Sequence, residues 1–77
     1  MARYFFNLVD GRDIPDAEGT EFSDMAAVRG AALKMAGELL RDGGKEFWSG
    51  HEWRMHVLDE RGNEALTLRF QAEQVAH

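Results

Sequence analysis

The chain has no cysteine and a single proline among its 77 residues. The first absence removes disulfides and thiolate zinc sites as sources of stability. At this length folding hides only about 60% of the surface that the unfolded chain exposes, so the core is small. Domains of this size lean on staples, very regular packing or a partner chain. The expectation is close packing helped by a self-association surface. Long apolar runs are missing as well. The longest near the start is Tyr4-Phe5-Phe6, ended by Asn7, against the roughly 18 apolar residues of a membrane span. Arg3 followed by so short a patch does not read as a secretory leader. The expected address is therefore cytoplasmic, with no membrane partner, and the expected organisation is a single domain over residues 1–77. Basic charge is also in short supply. Nine Lys and Arg against 14 Asp and Glu give a formal net charge of −5, which argues against nonspecific binding to nucleic-acid phosphates.

Hydrophobic periodicity supplies the elements. Arg3 to Val9 reads as a strand with Tyr4, Phe6 and Leu8 on one face and Arg3, Phe5, Asn7 and Val9 on the other. Asp10-Gly11 is a turn signal, because glycine accepts the positive φ that hairpin turns demand. The return through Arg12 to Asp16 is irregular and holds Pro15, which suits an edge or a loop. A short second strand is expected at about Gly19 to Phe22. Ser23 or Asp24 caps a helix. Met25, Val28, Ala32, Met35, Ala36, Leu39 and Leu40 then form its apolar stripe. Arg29, Lys34, Glu38 and Arg41 fall on its outer side. Gly30 and Gly37 weaken this helix by about 1 kcal/mol each and are read as points of close approach for another element. Gly43-Gly44 ends it.

Lys45 to Gly50 reads as a connection carrying Phe47 and Trp48, with Trp48 either a lid on the core or an exposed anchor. Glu52 to Leu58 alternates, placing Trp53, Met55 and Val57 inward and Arg54 and His56 outward. Asp59 to Asn63 is a hairpin loop, and Ala65 to Phe70 alternates again with Leu66, Leu68 and Phe70 inward. Gln71 to His77 reads as a frayed helical turn. The fold class expected is α+β: a small antiparallel sheet from two hairpins, ββαββ, packed on one amphipathic helix. The expected core is Tyr4, Phe6, Leu8, Val28, Met35, Leu39, Trp53, Met55, Val57, Leu66, Leu68 and Phe70. Strand order is left open.

Catalytic and metal chemistry find little footing in these residues. His51 and His56 lie about 16 Å apart on an extended chain and point to opposite faces, so they do not share an ion. The acids Asp10, Asp13, Asp16, Glu18 and Glu21 miss the spacing of a calcium loop and read as turn formers. Neither Ser23 nor Ser49 sits in a nucleophile turn, and the glycines form no phosphate cradle. No catalytic residue, cofactor or metal site is expected.

The motif Arg3-Tyr4-Phe5-Phe6-Asn7, followed by Asp10-Gly11, Asp16 to Phe22, Asp24-Met25-Ala26-Ala27, Asp59-Glu60-Arg61-Gly62 and Leu66 to Phe70, resembles a family of short bacterial proteins from rhizobia and related alphaproteobacteria. That family is a domain of unknown function with an N-terminal Arg-Tyr-Phe-Phe motif, so the resemblance implies a bacterial, cytosolic protein and no activity. Relatives often carry His or Asp where this chain has Asn7, which speaks against chemistry at that position.

The outer sheet face is the most informative surface. Arg3, Phe5, Val9, Arg54, His56, Leu58 and Arg69 fall on it, with Asn7 and Thr67: basic, partly apolar residues on an acidic protein. Three readings stand. The face is an interaction or regulatory surface for a protein partner or for self-association, since aromatics and arginine are enriched at interfaces. It is a weak single-stranded nucleic-acid platform, with Phe5 stacking a base, a reading that one aromatic and the net charge disfavour. Or it is simply solvated, as antiparallel sheets allow. A small enzyme with its site between subunits is the further alternative.

Overall fold

A computed structural model describes residues 1–48, 52–73 and 75. Among the described residues five strands and two helices follow one another: β1 (Ala2–Val9), β2 (Asp13–Ile14), β3 (Thr20–Phe22), α1 (Met25–Asp42), α2 (Gly44–Phe47), β4 (Trp53–Leu58) and β5 (Glu64–Phe70). The sheet order is β2-β1-β4-β5, all antiparallel, with β3 pairing β1 beyond β2. The domain is thus α+β and ββαββ-like. The strand expected at Gly19 to Phe22 is Thr20–Phe22, which pairs Ala2 to Tyr4, and the return stretch before it adds an unexpected two-residue strand, Asp13–Ile14, pairing Leu8 and Val9. Pro15, which has no N–H to give a ladder, stands just past that two-residue strand.

The core lies between the inner sheet face and α1. Phe6, Val28, Ala32, Ala36, Met55 and Val57 form its buried centre, and Trp53 is buried beside them. Tyr4, Phe22, Leu39, Leu66, Leu68 and Phe70 pack around this centre. The helix approaches through Val28, Ala32 and Ala36, spaced four residues apart on one face. Met35, expected in the core, is 38% exposed. The seat is made by small side chains on the line of closest approach, and Met35 falls to its flank, in a groove with Phe6, Phe22 and Ala31. Gly30 and Gly37 are exposed, and a Cβ at either would meet nothing, so neither admits another element.

The helix begins at Asp24 rather than Ser23: the Asp24 carboxylate accepts from the Ala27 N–H at 2.8 Å. It ends at Gly43, whose N–H donates to the Leu39 carbonyl. A Cβ on Gly43 would stand 2.8 Å from Trp53 Cη2, so this glycine lets the helix end come down onto the tryptophan. The stretch expected to be a plain connection starts with a helical turn, Gly44–Phe47. Phe47 stacks edge-on against Trp53, with centroids 5.4 Å apart, and serves as the lid. Trp48 is 59% exposed. Ser49, Gly50, His51 and His77 lie outside the described residues, and Gln71 to Glu73 take no regular structure.

Candidate functional site

The ladders fix the outer face as three cross-strand rows. Val9, Arg54 and Arg69 form the first, Asn7, His56 and Thr67 the second, and Phe5, Leu58 and Glu64 the third. A register shift at Val57/Leu58 brings Glu64, instead of Ala65, opposite Leu58. All the residues expected on this face except Arg3 therefore meet across β1, β4 and β5. Arg3 belongs to the other end of β1. Its guanidinium donates to the Glu18 carbonyl at 2.8 Å and lies 3.6 Å from Glu21, and its backbone N–H donates to Glu60. These partners tie down the β1–β3 corner.

Part of the face is covered by the protein itself. Residues 15–19 lie opposite 5–7, so five residues span a gap of three in the ladder. The Asp16 carboxylate fills that gap. Its Oδ2 accepts from the Phe6 N–H at 3.1 Å, and its Oδ1 accepts from Glu18 and Gly19. In return the Asp16 N–H donates to Asn7 Oδ1 at 2.9 Å. Burial works to raise the Asp16 pKa, but the N–H groups of Gly19, Phe6 and Glu18 outweigh it and hold the carboxyl below its ordinary value. The loop then turns back at Gly19, where φ is +71° and a Cβ would stand 2.8 Å from the Phe5 ring and 2.9 Å from Arg3 Cγ. Glycine is required there on both counts. Asn7 and one edge of Phe5 are therefore engaged by this loop. The sequence signal that could have found it was the Asp-x-x-Gly spacing of Asp16 and Gly19.

The open part of the face centres on β4 and β5. His56 Nδ1–H donates to Glu64 Oε1 at 2.8 Å, and the Thr67 hydroxyl lies 3.3 Å from the same nitrogen. In the neighbouring row Arg54 and Arg69 stand directly opposite one another. Directly opposite side chains have Cβ atoms about 5 Å apart, and like charges so placed repel. Glu52 lies 3.9 Å from Arg54 Nε, whereas Arg69 has no ion pair among the described residues. Val9 adds an apolar neighbour to this pair.

A second feature lies at the end of the inner face. Leu8, Ile14, Leu39 and Trp53 line a groove of about 380 Å³, with Asp10, Arg12 and Glu46 at its rim. Among the described residues two buried polar atoms of groove-lining side chains have no hydrogen-bond partner, Asp10 Oδ1 and Trp53 Nε1. The Arg12 guanidinium stands 3.7 Å from the former. Among the described residues no three His, Asp or Glu side chains converge as a metal site requires, and no helix is long and apolar enough to cross a membrane.

Residues 3–71 match the family described as a domain of unknown function, DUF6894, and the chain belongs to that family. No curated protein and no solved structure matches the chain.

Proposed function

We propose that this domain is a non-enzymatic, cytoplasmic protein-interaction or regulatory module whose outer sheet face holds an acidic segment of another protein. One observation carries the reading: Arg54 and Arg69 are set side by side across two strands, with no carboxylate opposite Arg69 to relieve them. Such a pair costs stability in isolation and gains most from an incoming carboxylate, which a guanidinium binds through paired N–H donors. Val9 and Leu58 provide apolar contact at either end, and Thr67 and His56 provide polar contact between. A second copy docked face to face would set one arginine pair against the other, so the favoured occupant is a different, acidic chain. Single-stranded nucleic acid would also bring anions to these arginines. The one aromatic available for stacking, however, has its edge under Gly19.

The test is capture from the source cells by the immobilised protein and by its Arg54→Glu variant. A partner held by the wild type, lost by the variant, and bound more weakly at higher salt after purification is the expected result. Equal capture by both proteins contradicts the reading. Low-salt binding of a labelled single-stranded oligonucleotide, lost in the same variant, would transfer the face to nucleic acid.

A further inference from the structure

The two edges of the sheet are unlike. Beyond β1, among the described residues, lie only β2 and β3, two and three residues long, interrupted by Pro15 and the loop through Gly19. So broken an edge offers no run of backbone for another strand to join. At the opposite edge β5 continues for seven residues, Glu-Ala-Leu-Thr-Leu-Arg-Phe, and among the described residues it pairs only with β4. It has no proline and no lysine, the usual guards of an exposed edge. Alongside it α1 leaves Leu33 67% exposed. Leu33, Ala32, Leu66 and Leu68 wall an apolar groove of about 230 Å³ that follows this edge.

We propose that β5 pairs antiparallel with β5 of a second copy, about a two-fold axis through Thr67, making one sheet continuous across two protomers. The strand is self-complementary in this register. Thr67 meets its own equivalent, a favourable β-branched pair. Leu66 meets Leu68 of the second copy, twice by symmetry and on the face where both grooves run. Arg69 falls opposite Ala65 of the second copy and beside its Glu64, so this arginine, which has no ion pair among the described residues, stands next to a carboxylate of the other protomer. A guanidinium has five N–H donors, which leaves Arg69 able to hold a carboxylate on the outer face as well. The pairing also adds apolar contact to a core that 77 residues keep small. This proposal shares Arg69 with the outer-face reading, but its register test does not depend on what that face binds.

Because the chain has no cysteine, single-cysteine variants give an unambiguous register test. Opposed residues in an antiparallel ladder have Cα atoms about 4.5–5.5 Å apart, within disulfide range. Thr67→Cys should therefore cross-link to itself under mild oxidation. Ala65→Cys should not, since its equivalent lies roughly 14 Å away along the ladder. The mass by sedimentation over a hundredfold range of concentration should rise from 8.7 kDa to twice that. Leu33→Glu, exposed and outside the sheet, should raise the dissociation constant at least tenfold. A monomer at every concentration would overturn the proposal and leave the edge to a strand from another chain. A dimer that cross-links no better through residue 67 than through residue 65 would overturn it equally.

Discussion

Asp16 performs at one position what a strand would otherwise do. Between Ile14 and Thr20 the returning chain leaves the ladder, and the Phe6 N–H would face the gap without a partner. The carboxylate supplies the acceptor and gathers Glu18 and Gly19 with it. Hydrogen bonds to a charged acceptor are worth about 1.5–3 kcal/mol, and losing the acceptor strands the donors. Asp16→Ala should therefore lower stability by about 1–3 kcal/mol in urea unfolding, toward the lower end because the loop is partly solvated. The pH dependence has a definite sign. The folded-state pKa is depressed, so this carboxylate's contribution is present above its ordinary unfolded value, about 3.9, and is lost as pH falls through the lower folded value. The wild type should lose stability below about pH 4 more steeply than Asp16→Asn, and identical acid profiles would remove the carboxylate from this role. Its place in the sequence marks Asp16 as a turn former, which is half of its task. The other half, reaching Phe6 ten residues back, depends on register, and spacing alone does not reveal register. The same holds for Asn7, whose amide oxygen proves to be the anchor of the loop.

At the scale of elements, the periodicities carried most of the architecture. The alternation Trp53-Met55-Val57 against Arg54-His56 became a strand with the first set buried, Arg54 exposed and His56 half-buried. The three- and four-residue steps from Met25 became α1. Which members of that stripe touch the sheet was hidden, because periodicity identifies a face and not the line of closest approach. That line belongs to Val28, Ala32 and Ala36, where short side chains let the helix sit close, and the longer Met35 is displaced to the rim. The energetic consequence runs against side-chain size. Ala32→Leu should overpack the seat and cost about 1–3 kcal/mol, while Met35→Ala should cost well under about 1 kcal/mol. Urea midpoints of the two variants decide the matter, and the reverse order would mean that the helix sits differently. The turn Gly44–Phe47 escaped detection because four residues are too few to show a period.

For the molecule as a whole, one face of the sheet is covered by a helix and the other is left open. Sequence alternation sorted residues correctly between those faces for β1, β4 and β5, yet it left the strand order open. Strand order is what turns separate outward residues into the rows Val9–Arg54–Arg69 and Asn7–His56–Thr67. It also places β5 at an unguarded edge and β1 under a broken one. In the acidic-partner proposal the arginine pair serves a partner and not the fold. Arg54→Glu replaces a like-charge cross-strand pair by an opposite-charge one, worth about 0.2–1 kcal/mol in favour of the folded state, and gives up the exposed 3.9 Å contact with Glu52, a pair of the kind worth about 0–1 kcal/mol. The decisive measurement is the urea-unfolding free energy of Arg54→Glu beside the wild type, at low protein concentration and low salt. The expected variant is as stable as the wild type or more stable by up to about 1 kcal/mol; a loss of more than about 1 kcal/mol would make Arg54 part of what holds the sheet together and would contradict a role for it toward a partner alone.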